Sequence, residues 1–307
     1  MSDVTLRNVT KHFDDFVAVQ DLSFEVSAGS IFGLLGPNGA GKSTTMRMIA
    51  NILAPDDGEL IVLEKSPSIA LKRQIGYLPE DRGLYRQMKI RDQLLFFAKI
   101  KGVDKKRALA RIDMWLERFG LAAWKNHIPL DLSKGMQQKV QFITTVIHDP
   151  QVLILDEPFT GLDPVSVSQL KDVILDLRQR NKTIIFSTHQ MEQVEQICDE
   201  ICIINHAKKV LAGTIREVKQ RYGRNIVELE YEGPQEFLHD FDGAVKHFPN
   251  QLQIKLGEGS DAQEILRRAM AAGGRVHRFE LVEPSLNEIF IDFVQGDNER
   301  NPSNRVA

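Results

Sequence analysis

The chain has 307 residues, of which 42% are apolar and 26% charged, a composition that suits a globular protein with room for two domains. With 39 Lys and Arg against 42 Asp and Glu, its net charge of -3 excludes a long-range field that would draw the whole molecule onto nucleic acid. No run approaches 18 apolar residues, and the first five residues form neither a basic nor an apolar leader segment, so the expectation is a chain that crosses no membrane and stays in the cytoplasm.

Residues 3–10 and 21–27 alternate apolar with polar side chains, the pattern of half-buried antiparallel strands. Residues 11–19 lie between them; an aromatic just upstream of a phosphate-binding strand can stack on a purine, which nominates Phe13 for adenine, while Phe13 and Phe16 also read as edge-of-core residues. The apolar run 31–35 then leads into Gly36-Pro37-Asn38-Gly39-Ala40-Gly41-Lys42-Ser43-Thr44 and a helix-like stretch, 45–53. The glycines let successive N–H groups curl around a phosphate, the helix N-terminus adds partial positive charge, Lys42 reaches the β- and γ-phosphates, and the Ser43 hydroxyl is placed to ligate Mg²⁺.

A turn at 54–58, a strand at 59–63 and a short strand at 74–79 follow, after which Glu80 opens a charged loop reaching Met88. From Ile90 to about Asn126 the apolar period becomes helical, with Leu94, Leu95, Phe97, Ala98, Ile112, Trp115, Leu116 and Phe119 on one face, an insert the size of a subdomain. Residues 132–139 form a polar turn entering a helix at 137–147, a second place where an anion can be held. The apolar run 151–155 ends in Asp156 and Glu157, as a central parallel strand delivers acids to its C-terminal edge; Asp156 is placed to hold Mg²⁺ through water, and Glu157 to orient or deprotonate an attacking water. A helix at 165–180 and a buried strand ending on His189 follow, and a histidine at that edge can bond a terminal phosphate.

Cys198 and Cys202, the two cysteines, lack a second pair to complete a metal site and read as core residues. A strand at 201–205, a turn at Lys208-Lys209 and a basic helix at 214–222 finish a first domain, 1–222, whose helical part covers about 82–150. Residues 223–296 read as strand, helix, strand, strand, helix, strand and a last helix at 285–294, the βαββαβ order of a ferredoxin-like domain, and 297–307 as a disordered tail.

With the phosphate loop, the helical insert, Leu132 to Gln138, the Asp156-Glu157 strand end and His189 in this order, residues 3–220 resemble an ABC transporter ATP-binding subunit. The resemblance implies an α/β fold of the P-loop NTPase type, with an antiparallel β subdomain and a helical subdomain. Phe13 matches its adenine-stacking aromatic, Gly36 to Thr44 its Walker A loop, Asp156 its Walker B acid, Glu157 its catalytic carboxylate and His189 its switch histidine. Ser133 and Gly135 fall in its signature sequence, which contacts the ATP of the opposite subunit, and Asp163 falls in its D-loop and is counted with the nucleotide-binding residues. ATP and Mg²⁺ are the implied cofactors; a second copy arranged head to tail and a separate transmembrane permease are the implied partners, with the chain peripheral on the cytoplasmic face of the membrane.

Two positions depart from the family's pattern. Glu80 stands where glutamine is usual, at the position that the resemblance implies touches Mg²⁺ and the attacking water and relays to the membrane subunit, and Leu132-Ser133-Lys134-Gly135-Met136 replaces Leu-Ser-Gly-Gly-Gln. Both variants, with the stretch 77–85 and the ending 283–290, are similar to bacterial export-type subunits of the sodium or drug extrusion group. The implied function is an ATPase that powers an exporter; the alternative is a soluble ATPase acting on nucleic acid or ribosomes, which tandem ATP domains, a long coiled coil or a basic linker would favour, and the sequence carries none of these.

Overall fold

A computed structural model describes residues 1–65, 68, 71–81, 83–222, 226–234, 245–248, 251–257 and 261–291. They form two compact units, Met1–Thr214 and Ile215–Ala307.

The first unit begins with β1 (Ser2–Phe13) and β2 (Phe16–Ser27), followed by β3 (Ile31–Leu35), α1 (Lys42–Ile49), β4 (Asp57–Val62) and β5 (Ile75–Leu78). It continues through α2 (Ile90–Ile100), α3 (Lys105–Arg118) and α4 (Lys134–Val146) to β6 (Val152–Asp156), α5 (Pro164–Gln179), β7 (Thr183–Thr188), α6 (Met191–Ile197), β8 (Glu200–Asn205) and β9 (Lys208–Thr214). Three layers result. An antiparallel sheet, β2-β1-β4, carries Val4, Leu6, Val9, Leu22, Phe24 and Val26 on its buried side. There Phe24 stacks on Phe32 of β3 at 5.0 Å between ring centroids.

The central sheet runs β5-β6-β7-β3-β8-β9 and is parallel except for the β8–β9 hairpin. All residues of β3, β6 and β7 are buried, as befits strands covered on both faces. Their register aligns Leu35 with Thr188 and Asp156 with Ser187, so three strands end together at one edge. The third layer is the helical insert, where Trp115, Phe119 and Phe142 pack ring on ring at 5.8 to 6.5 Å. Asp104 caps α3 by accepting Arg107 N–H, which fixes where that helix starts.

The sequence reading differs from the structure at several places in the first unit. Residues 11–13 and 16–19 continue β1 and β2 around a tight turn, with Phe13 paired to Phe16, instead of forming a connector. Lys208 and Lys209 begin a strand; the turn sits one step earlier at His206 and Ala207, both at positive φ, where the absence of glycine hides it. Helix α4 starts at Lys134, three residues before the expected position, because Ser133 accepts Met136 N–H as its cap.

In the second unit, α7 (Ile215–Tyr222), which the sequence reading put at the end of the first domain, is followed by β10 (Ile226–Glu232), β11 (Val245–Phe248), β12 (Gln251–Lys255), α8 (Ala262–Ala271) and β13 (Arg275–Val282). The sheet order is β11-β12-β10-β13, antiparallel throughout, the arrangement of a split βαβ pair. Val227, Leu229, Leu252 and Ile254 pack under Ile265 and Ala269 of α8. Residues 286–291 are helical. Most of the helix expected at 234–239, the boundary at Gly223 and the tail 297–307 lie outside the described residues.

Candidate active site

The loop between β3 and α1 is shaped by two glycines that nothing else can replace. Gly36 has φ 151° and an added Cβ would sit 2.2 Å from Ile204 O; Gly41 has φ 105°, and its Cβ would sit 2.4 Å from Ala18 O. Gly41 is also the residue before α1, which carries no side-chain cap and no acid in its first turn, so the first N–H groups of the helix stay free for an anion. Lys42 is only 6% exposed. Its ammonium donates to Gly36 O (2.8 Å) and Pro37 O (3.0 Å), which holds the side chain across the loop. Burial pushes the Lys42 ammonium below its ordinary value, and the carboxylates of Glu157, Asp156 and Glu80 oppose that shift.

Beneath the loop, Ser43 Oγ donates to Asp156 Oδ1 at 3.2 Å, and Ser187 Oγ donates to the same oxygen at 2.5 Å. Asp156 is fully buried and its Oδ2 has no hydrogen-bond partner. A lone buried carboxylate oxygen is costly unless something positive satisfies it. Next along the chain, Glu157 stands at φ 48°, a left-handed conformation costing about 1 to 2 kcal/mol in a residue with a side chain. The strain turns its carboxylate away from the strand axis and into the cavity. Ser187 Oγ accepts Glu157 N–H at 3.0 Å, and Glu157 Oε1 lies 3.0 Å from His189 Nδ1, while Thr160 Oγ1 donates to Oε2 at 3.3 Å.

Of these groups, Gly41, Lys42, Ser43 and Glu157 border a cavity of about 350 Å³ that is also lined by Asn38, Gly39, Thr44, Glu80, Phe16 and Ala18, while Asp156, Ser187 and His189 stand outside that lining. That is the range of small-ligand sites. Ala40 is buried in the core beside the loop. Phe13 is not among the lining residues; it lies 43% exposed beneath the Lys11 ammonium, 5.7 Å from ring centroid to Nζ, and its hairpin partner Phe16 faces the cavity. Ser133, Gly135 and Asp163 are likewise absent from the lining. Ser133 is exposed, and an added Cβ at Gly135 would lie 3.9 Å from Asp163 Oδ2, so the three sit together elsewhere on the surface. Asp163 caps α5, accepting Ser166 N–H and Oγ–H, bonds that hold its carboxyl below the usual range.

The residues present suit a nucleoside triphosphate with a divalent cation. Among the described residues no three His, Cys, Asp or Glu side chains gather into a ready metal cage. Mg²⁺ ordinarily takes one or two carboxylates and completes its shell with phosphate oxygens and water, which is what Ser43 and the open Asp156 Oδ2 offer. Sequence reasoning missed Ser187, which bonds both acids; the signal was a serine inside a strand otherwise apolar at its core, Thr183–Thr188.

A glycine loop opening a helix at the edge of a parallel sheet, with a buried lysine and an Asp-Glu pair on the neighbouring strand, defines a P-loop nucleotide-binding ATPase. Residues 19–160 match the family model described as ABC transporter, and residues 213–294 match the C-terminal domain described as ATP-binding protein DrrA1-3-like. An uncharacterized ABC transporter ATP-binding protein, YhaQ of Bacillus subtilis, is 42% identical over 95% of this chain and 98% of its own length. The chain belongs to the ATP-binding subunits of ABC transporters, and as such it binds and hydrolyses ATP.

Other relatives carry more specific names. Nod factor export ATP-binding protein I of Sinorhizobium fredii is 37% identical over 94% of this chain and 84% of its own length. The ABC transporter ATP-binding protein NatA of Bacillus subtilis is 36% identical over 70% of this chain and 91% of its own. Among solved structures, an ATP-binding subunit of an ABC transporter superposes with a TM-score of 0.68 at 27% identity, covering 72% of this chain and 93% of that one. The subunit cbiO1 of Clostridium perfringens, part of the cbiONQ transporter complex, gives 0.63 at 26%, covering 71% and 90%. Among the described residues no helix is long and apolar enough to cross a membrane.

Proposed function

We propose that two copies of this chain, held on the cytoplasmic face of a membrane permease, close head to tail around two molecules of ATP with Mg²⁺ and drive the export of a solute. The observation that carries the reading is the bonded series Ser43, Asp156, Ser187, Glu157 and His189, which brings a free buried carboxylate oxygen and a strained glutamate to one side of the phosphate loop.

Lys42 leaves its two backbone carbonyls to contact the β- and γ-phosphates, and the free N–H groups of α1 take the rest of the phosphate charge. Ser43, Asp156 and Glu80, the last at the cavity wall, would hold the metal. A bound Mg²⁺ would supply neutralisation of charge on the β- and γ-oxygens. Glu157 accepts a hydrogen bond from the attacking water and draws its proton, and His189, already against Glu157, fixes that carboxylate and reaches the γ-phosphate. Phe13 or its cavity-facing partner Phe16 supplies the adenine platform, by offset stacking. Ser133, Gly135 and Asp163, grouped away from this cavity, meet the nucleotide of the second copy. Domain limits at 1–222 and 223–296 remain part of this reading, with the second domain as an accessory to the dimer.

Export as the direction of transport rests on the relatives named Nod factor export ATP-binding protein I. The test is Glu157→Gln. The variant is expected to bind ATP as the parent does while its steady-state hydrolysis falls by a factor of about a hundred or more, the rate equivalent of roughly 2.7 kcal/mol. Unchanged turnover removes Glu157 from the chemistry.

A further inference from the structure

Helix α4 carries a glutamine whose position no motif explains. Gln141 is 2% exposed, and its amide nitrogen donates to Pro79 O at 3.1 Å and to Asp81 O at 3.0 Å, the two carbonyls that bracket Glu80. Its amide oxygen has no partner. The orientation follows from chemistry: a flipped amide would turn its oxygen toward two carbonyl oxygens and lose both bonds. One face further up the same helix, at the i−3 position, Gln138 is 4% exposed and donates to Pro158 O, immediately after Glu157. A single rigid helix thus reaches the backbone beside both cavity-lining glutamates, Glu80 and Glu157.

The two contacts are unequal. Gln138 makes one long bond, 3.4 Å, to a segment that Ser187 and Thr160 also hold. At the other loop, the amide of Gln141 bonds the carbonyls on both sides of Glu80. That loop emerges from β5 and otherwise runs along the surface, with Glu80 itself exposed. An exposed carboxylate on such a loop samples many positions unless its backbone is pinned, and a misplacement of an ångström at a reacting site costs rate.

We propose that Gln141 is the positioning residue for Glu80: its buried amide clamps the loop to the helix that Ser133 opens, and so sets where the Glu80 carboxylate stands beside the phosphates. The inference rests on the reading of Glu80 given above. It links the helix that faces the second copy to the loop that enters the first copy's cavity, through one side chain.

The test is a double-mutant cycle in the full-length chain. Gln141→Met keeps the volume and removes the donor; Gln141→Glu keeps the shape and sets a carboxylate against two carbonyls. Both are expected to lower kcat about fivefold to tenfold with KM for ATP within about twofold, and to speed amide exchange at Glu80 and Asp81. The thermal midpoint is expected to fall by no more than about 2 to 4 °C. In a Glu80→Ala background, Gln141→Met should lower kcat no further. A loss that persists undiminished in that background, unchanged kcat in both single variants, or exchange at Glu80 and Asp81 equal to that of the parent would overturn the proposal. The Glu80→Ala variant alone reads the earlier assignment separately: its full activity would show that Glu80 has no part in turnover, whatever Gln141 does to the loop.

Discussion

Helix α1 starts behind a left-handed glycine with no side-chain cap, whereas α4 starts with the Ser133 hydroxyl accepting Met136 N–H at 3.3 Å. The first helix therefore presents bare donors to whatever enters the cavity, and the second has already satisfied one of its own. A serine cap uses a lone pair of its oxygen and keeps its O–H free, so Ser133 can cap α4 and donate to an outside phosphate at once. Gly135 adds to the contrast. Its Cβ would meet Leu162 at 3.6 Å and Asp163 Oδ2 at 3.9 Å, both ordinary contacts, while a Cβ at Gly41 would strike Ala18 O. Glycine at the first helix is required by the chain's own fold, and at the second by nothing inside one copy. The contrast supports the proposal that the first end holds the phosphates of its own copy and the second meets the nucleotide of another.

Removing the lysine of the first end should have the largest effect. Lys42→Ala is expected to raise the dissociation constant for ATP at least about a hundredfold, equivalent to roughly 2.7 kcal/mol, as read by fluorescence titration or calorimetry. Binding within a few-fold of the parent would contradict the loop assignment. The second end is sharpened by a pair of variants. Ser133→Asp keeps a good cap, so thermal stability should hold, yet it sets a negative charge where a phosphate must come and should abolish ATP-driven turnover. Ser133→Ala should cost about 1 kcal/mol of stability through the lost cap and reduce turnover less. If the Asp variant hydrolyses ATP at the parental rate, the contact across copies is absent.

The smallest effect on nucleotide binding and turnover comes from just past the far end of α4, where the readout is stability alone. His148 Nε2 bonds Ile75 O at 3.1 Å, and burial together with the Lys101 charge lowers its pKa to about 4. The unfolded chain protonates this histidine near its ordinary value of 6.5, before the folded chain does, so stability falls as pH drops from 6.5 toward 4. Replacing His148 with Gln should flatten that part of the stability profile by at most about 3 kcal/mol, measured by denaturant unfolding across the window. An identical slope in parent and variant would mean that His148 is not buried as described.

The phosphate loop, the Asp156-Glu157 pair and His189 were legible in the sequence because each is set by local chemistry: glycines where the backbone must turn, acids where an apolar strand ends. The split sheet order of β10 to β13 followed from the alternation of strands and helices in the same way. The hairpin at Asp14 and Asp15 and the turn at His206 and Ala207 were hidden because non-glycine residues take the positive φ there. The grips of Gln138 and Gln141 on Pro158 O, Pro79 O and Asp81 O could not be read at all, since a side chain that reaches 20 to 62 residues along the chain leaves no periodic trace. Phe16 facing the cavity in place of Phe13 is a matter of hairpin register, which alternation alone does not set.

The most direct measurement is the mass of the Glu157→Gln chain in saturating ATP and Mg²⁺, taken by light scattering with and without Ser133→Asp. The account predicts a mass of two copies that returns to one copy when Ser133 is changed. A single-copy mass in the ATP-loaded Glu157→Gln chain, or a dimer indifferent to the charge at Ser133, would contradict it.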